Sequence, residues 1–311
     1  MSKLCKAILS VLAIGAAVMT MGGEPAAASP AAPPPVDQAT FAARKHLQRL
    51  PSGIELAYVE MGDPHGQPVV FLHGFTDNAR TWTLLTPYLD PRFRIILVDL
   101  RGHGGSSKPA CCYRLQDMAA DIDAFLAARH IDRADVVGHS LGSAVTQVFA
   151  ETYPQRVRRV VLISSTLGGP PPASTGAQGE SFDLAGGIAQ LKDPIDPDSA
   201  FMRDWYSTPT PVDEAFLAQE RRDSAAIPVR VWLAVLKQGS MGDLGAHISQ
   251  LKAPVLILSG DKDPFFGPAV QAGLRRALPG AKSRTFPDAG HNLIWEDPKA
   301  AAEAINAFLA P

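Results

Sequence analysis

The sequence predicts an α/β protein: a doubly wound, mostly parallel sheet with helices on both faces and an inserted, mostly helical cap. Three observations carry this. Short, mostly or wholly apolar runs at residues 69–72, 95–98, 157–163 and 254–258 alternate with stretches whose apolar residues recur every three or four positions. Such runs fit strands covered on both faces, and such periodicity fits the helices that cover them. The rhythm then stops between residues 166 and 250 and resumes afterwards, which fits an insertion at the sheet's carboxyl edge. Finally, the pentapeptide Gly138-His139-Ser140-Leu141-Gly142 stands between an apolar run and a helix-like pattern of Leu141, Ala144, Val145, Val148 and Phe149. Strand, G-x-S-x-G, helix is the setting of a nucleophile elbow, a sharp turn that leaves a serine exposed.

Taken in order, the chain begins with Lys3 and Lys6 ahead of an apolar run over residues 7–21. That run is about 15 residues long, too short for a comfortable membrane span. Ala26-Ala27-Ala28 offers a small-residue cleavage site, so residues 1–28 read as a signal peptide and the protein as exported, periplasmic or extracellular, with no stable membrane anchor once the segment is removed. Residues 29–50 read as a stiff Pro/Ala-rich spacer and lead-in. The core is expected over 51–165 and 251–311, and the cap over 166–250.

Within the core, residues 54–60 alternate and suggest an exposed antiparallel strand. Residues 69–72 and 95–98 are buried strands, and a helix is expected over 81–89. Residues 115–128 show helical spacing, with Met118, Ile122, Phe125 and Leu126 on one face. The elbow strand, the elbow helix and a strand over 157–163 follow. The cap opens with a Gly/Pro/Ser/Ala loop at 167–179 and carries helical fragments around 214–222 and 229–237. Strands at 254–258 and 283–286 and helices at 268–278 and 299–309 close the pattern.

Composition narrows the function. Hydrophobic content of 46% and charged content of 19% describe an ordinary globular core. A net charge of −2 with scattered lysines and arginines argues against a nucleic-acid partner. No H-E-x-x-H, no spaced Cys-x-x-Cys and no G-x-G-x-x-G behind a strand is present, so neither metal nor cofactor is called for. Of three cysteines, Cys5 falls in the signal segment; Cys111 and Cys112 are adjacent, either two small apolar residues or, in an oxidising compartment, a vicinal disulfide near the start of a helix.

A serine hydroxyl needs a base, and the base an orienting acid. In this motif class both follow the serine, acid first. Gly260-Asp261-Lys262-Asp263-Pro264 and Asp288-Ala289-Gly290-His291-Asn292 each follow a predicted strand. His291 is therefore the candidate base. His73 and His103 sit in Gly-flanked turns, His139 faces away from Ser140, and His247 lies in the cap. Both Asp261 and Asp263 are in reach as the acid. The second need is an oxyanion hole: one backbone N–H from Leu141, after the nucleophile, and one from Phe75 in His73-Gly74-Phe75, after the earlier strand.

With these pieces in place, the chain resembles the α/β-hydrolase superfamily from about residue 53 to 309, and most of all its capped serine esterase and lactonase branch. The resemblance rests on His73-Gly74-Phe75, the run Asp99-Leu100-Arg101-Gly102-His103-Gly104, the elbow at Ser140, Gly260-Asp261-Lys262-Asp263, and Gly290-His291 with Glu296-Asp297-Pro298 behind it. It implies Asp263 as the acid, immediately before Pro264, and structural roles for Asp99 and Arg101. It implies a small-molecule ester or lactone as substrate. A serine at 140 removes the alkyl-enzyme route of relatives with a carboxylate at the elbow, and H-G-F in place of H-G-G-G argues against bulky tertiary esters. Carbon–carbon bond hydrolysis or perhydrolysis on the same triad, and a non-catalytic binding protein of the same fold, are the alternatives.

Overall fold

A computed structural model describes residues 33–168, 174–175, 181–182, 184–238, 244 and 248–310. The segment expected to be a signal peptide, His247 and much of the 167–179 loop lie outside the described residues. The elements run β1 (His46–Arg49), β2 (Glu55–Gly62), β3 (Gln67–Leu72), β4 (Phe93–Val98), α1 (Leu115–Ala128), β5 (Ala134–His139), α2 (Leu141–Thr152) and β6 (Val157–Ile163). A short pair, β7 (Ser174–Thr175) and β8 (Ser181–Phe182), opens the insertion. Its helices are α3 (Leu184–Gln190), α4 (Ala200–Trp205), α5 (Glu214–Ala225) and α6 (Val229–Gln238). The chain then returns through β9 (Val255–Gly260), α7 (Pro268–Ala277), β10 (Lys282–Phe286), α8 (Leu293–Glu296) and α9 (Pro298–Leu309).

Eight strands form one sheet in the order β1-β2-β4-β3-β5-β6-β9-β10. Only the pairings of β2, with β1 and with β4, are antiparallel. The apolar runs of β3, β5, β6 and β9 are buried because helices cover both faces. The chain order places β4 on one side of β3 and β5 on the other. The crevice of such a sheet opens where the winding reverses, beyond the carboxyl ends of β3 and β5. His73-Gly74-Phe75 and Ser140 leave from those two ends.

Two expectations are corrected. The strand at 54–60 is antiparallel but not exposed: Leu56, Ala57, Tyr58 and Val59 are all buried. β1 pairs along its outer edge, and Tyr58 meets Phe125 edge-on at 5.2 Å with the Arg129 guanidinium over its ring. The helix expected over 81–89 is instead two 3₁₀ turns, Ala79–Trp82 and Thr86–Tyr88. Pro87 has no N–H to continue an α-helical ladder and its ring crowds the preceding turn. The Asn78 side chain caps the first turn by accepting the Arg80 N–H at 2.9 Å.

Cys111 and Cys112 are joined as a vicinal disulfide on the exposed loop before α1, with Cys112 at φ +74°. The Arg101 guanidinium holds this loop through the Cys112 carbonyl at 2.6 Å while pairing with Asp121 through two bonds at 2.5 and 2.6 Å.

Candidate active site

Ser140 sits at φ +51°, ψ −117°, between the last residue of β5 and the first of α2. The flanking glycines are a steric need. A Cβ on Gly138 would collide with the Gly142 carbonyl and the Thr146 hydroxyl; one on Gly142 would strike the Leu72 carbonyl and lie 2.6 Å from that of His73. The second clash shows how closely α2 packs on the end of β3. The turn is tied to the sheet by the Ser140 N–H, which donates to the Ile163 carbonyl at 3.0 Å.

The loops after β9 and β10 converge on this turn. His291 Nε2 lies 2.8 Å from Ser140 Oγ, and His291 Nδ1 lies 2.9 and 3.0 Å from the two carboxylate oxygens of Asp263. Asp263 is almost wholly buried, and its Oδ1 also accepts the N–H groups of Phe265 and Phe266 at 2.9 and 3.0 Å. Burial pushes its carboxyl up, but the adjacent His291 and these hydrogen bonds outweigh that and hold it below the usual carboxylate range. Asp261, the other acid of the loop, turns away: its Oδ1 accepts the Asp288 N–H at 2.7 Å, tying the two loops together.

Sequence reasoning missed how His291 is held. Its backbone carbonyl accepts from Ser164 Oγ at 2.7 Å and from His139 Nε2 at 3.0 Å, one donor from the end of β6 and one from the end of β5. Burial, and then the neighbouring His291, drive the His139 pKa down to about 3, so its ring is neutral and carries its proton on Nε2. His139 does face away from the Ser140 hydroxyl, yet it grips the loop that bears the base. The partners are 152 positions apart, and no local pattern signals them. Glu296 completes the support, accepting the Gly290 N–H at 2.9 Å and the Thr210 hydroxyl at 2.6 Å from the insertion.

His73 and His103 are turn buttresses. His73 Nε2 accepts the Leu100 N–H at 2.9 Å, and burial depresses both rings' pKa values. Asp99 accepts from the Ala79 and Gly105 N–H groups and from Lys45 Nζ, all at 2.7 Å, so it organises the turn after β4.

Phe75 and Leu141 flank Ser140 from β3 and from α2. Among the described residues, neither backbone N–H meets an acceptor. That of Leu141 belongs to the first turn of α2, where N–H groups have no partner within the helix. Aromatic rings crowd around: Phe265 and Phe266 approach His291 at 5.0 and 5.5 Å, and Trp205 and Trp232 of the insertion approach Phe75 at 6.1 and 5.6 Å. Among the described residues no cluster of His, Cys, Asp or Glu is placed to hold a metal ion.

Known proteins align with this arrangement. A 2-(acetamidomethylene)succinate hydrolase from Mesorhizobium japonicum is 30% identical over 250 residues, covering 78% of this chain and 88% of that one. Lipase 1 from Psychrobacter immobilis is 27% identical over 274 residues, covering 83% and 82%. The crystal structure of a hydrolase from Pseudomonas aeruginosa superposes with a TM-score of 0.75 at 25% identity, covering 87% of this chain and all of that one. The model of the alpha/beta hydrolase family matches residues 69–304, from β3 into α9. With that match added to the sheet order and the elbow, the chain belongs to the alpha/beta hydrolase family.

Proposed function

We propose that this chain is an exported serine hydrolase that cleaves carboxylic esters or lactones through an acyl-enzyme on Ser140. The observation that carries the reading is the continuous hydrogen-bond line from Ser140 Oγ through His291 to a buried Asp263, at 2.8 and 2.9 Å. His291 takes the hydroxyl proton as Ser140 attacks the carbonyl, then returns it to the leaving alkoxide. Asp263 keeps the His291 proton on Nδ1, leaving Nε2 free to act as base, and stabilises the imidazolium. The Phe75 and Leu141 N–H groups receive the oxyanion, each worth about 3–4 kcal/mol to the transition state. Water repeats the sequence to release the acid.

The aromatic surroundings suit a small apolar substrate, and the name of the Psychrobacter relative, a lipase, favours the ester bond. The basic, apolar, small-residue order of the first 28 residues supports export.

Incubation with a fluorophosphonate, then kinetics on a panel of ester, lactone and vinylogous-ketone substrates, tests the reading. Labelling at Ser140 and ester or lactone turnover are expected. No labelling would overturn the mechanism, and turnover confined to the ketones would move the reaction to carbon–carbon bonds.

A further inference from the structure

Thr76, immediately after Phe75, has φ +69°. A β-branched residue in the left-handed region is a true outlier, and such a conformation persists only when its surroundings impose it. Within the turn, the Asp77 N–H reaches the Gly74 carbonyl at 3.3 Å and the Gly74 backbone hydrogen-bonds the Asp77 carboxyl. The insertion supplies the rest. Trp205 Nε1 donates to Thr76 Oγ1 at 2.9 Å, and Tyr206 Oη donates to Asp77 Oδ1 at 3.2 Å. Thr76 Oγ1 lies 3.4 Å from Tyr206 Oη, so indole, two hydroxyls and carboxylate form one line in which each hydroxyl both donates and accepts.

This clamp is buried and anchored on its far side. Thr76, Asp77 and Tyr206 are all buried. The Tyr206 ring stacks over Trp295 at 5.9 Å, and Trp295 Nε1 donates to the Thr81 carbonyl at 3.0 Å, so Tyr206 is held without help from Thr76. On the near side, the Asp77 carboxylate lies beside Gly74, before Phe75: a Cβ added to Gly74 would lie 2.7 Å from its Oδ2.

Resting on the hydrolase reading above, we infer that the cap is part of the catalytic framework: Trp205 and Tyr206 are positioning residues that hold Thr76 and Asp77 in the strained turn aiming the Phe75 N–H at the oxyanion. Without the clamp, Thr76 relaxes toward negative φ, the Phe75–Thr76 backbone rotates, and one of the two donors is lost from its place. Glycine adopts positive φ at no steric cost, so Thr76→Gly removes the need for the clamp.

The test compares wild type, Tyr206→Phe, the Trp205→Phe/Tyr206→Phe double variant, and the double variant carrying Thr76→Gly, all on p-nitrophenyl acetate. The double variant is expected to lose about tenfold or more in kcat with KM within about twofold, since a displaced donor acts on the transition state and not on ground-state binding. Thr76→Gly is expected to recover most of that loss, which no merely structural role would produce. Tyr206→Phe keeps the aromatic stack and carries the test if the double variant does not fold; it is expected to lose a smaller share of kcat. Hydrogen exchange of the 74–77 backbone, expected to quicken in the clamp variants, gives a readout independent of turnover. Folded variants with wild-type kcat and unchanged exchange would overturn the inference, as would a kcat loss that Thr76→Gly leaves in place. Wild type that neither hydrolyses the ester nor takes the fluorophosphonate would instead sink the hydrolase reading, while quickened exchange would still support the clamp.

Discussion

Replacing Asp263 by asparagine changes one atom and should disable the centre. Asp263 Oδ1 takes the Phe265 and Phe266 N–H groups at 2.9 and 3.0 Å and lies 3.0 Å from His291 Nδ1; among the described residues Oδ2 takes His291 Nδ1 alone, at 2.9 Å. The two backbone donors will keep an oxygen at the Oδ1 position, so the new amide NH₂ must occupy that of Oδ2. There it presents N–H to His291 Nδ1, which in the wild type is itself N–H. Two donors cannot share 2.9 Å. The relief is a tautomer switch: His291 Nδ1 becomes an acceptor and its proton moves to Nε2, facing Ser140 Oγ at 2.8 Å. A base already carrying a proton on its working nitrogen cannot take another. The same exchange in the serine proteases costs about 10⁴-fold, some 5–6 kcal/mol of barrier.

Asp261→Asn is the control. Its bond from Oδ1 to the Asp288 N–H survives as an amide oxygen, only an exposed ion pair with Lys262 at 3.7 Å is lost, and His291 is untouched. We expect kcat on p-nitrophenyl acetate to fall about 10⁴-fold for Asp263→Asn and to stay within a few-fold for Asp261→Asn, with both variants folded by circular dichroism. A fully active Asp263→Asn, or the opposite ranking, would falsify the tautomer argument.

Ser140→Ala, a trimming at a partly exposed turn, should keep its melting temperature, lose about 10³-fold or more in kcat and take no fluorophosphonate; appreciable residual turnover would place the nucleophile elsewhere. Gly142→Ala drives a Cβ into the Leu72 and His73 carbonyls, rigid sheet backbone, and should cost about 3 kcal/mol or more in urea unfolding; a wild-type midpoint would mean that α2 can retreat from β3. Burial pushes the Asp77 carboxyl up to about 7 against a lowering by the Tyr206 hydrogen bond and by His291, so the folded state keeps a proton that the unfolded chain gives up near pH 4. Its contribution is full below that pH and lost as pH rises through about 7, the reverse of Asp263, whose lowered carboxyl adds stability that disappears on acidification. Asp77→Asn should therefore lose less stability than wild type between pH 4 and 7 in urea titrations, and parallel pH slopes would rule this out. Intact mass before and after reductant should differ by two hydrogens for the Cys111–Cys112 bond; two alkylatable thiols in unreduced denatured protein would refute it.

What could be read from the sequence follows from the range of the force involved. A strand is apolar where both its faces are covered, so Val160-Val161-Leu162-Ile163 made the strand at 157–163 legible despite Arg158 and Arg159, and a helix lying on the sheet must repeat its apolar face, so residues 115–128 were legible too. The elbow was legible because its two glycines answer a clash between neighbours in the chain and the adjoining strand. β1, His-Leu-Gln-Arg at an edge, carries no such pattern, since it buries little and its pairing with β2 rests chiefly on backbone. In the insertion, α3 contains Gly186 and Gly187, poor helix formers, and no helix was expected there; a Cβ at Gly187 would strike the Phe201 ring, so the residue that weakens the local signal is the one that lets α3 rest on α4. The supports of the site are the least legible of all. Trp205 and Thr76 are 129 positions apart, His139 and the carbonyl of His291 152 apart, and hydrogen bonds over such distances leave no periodicity. Ser140 and His291 could be named from motifs because the chemistry dictates their types, and Phe75 from its place after β3, where a backbone N–H suffices. The supporting roles of Trp205, Tyr206, Ser164 and His139 could not be named, because any donor brought to the right place would serve, and only the fold decides which side chain that is.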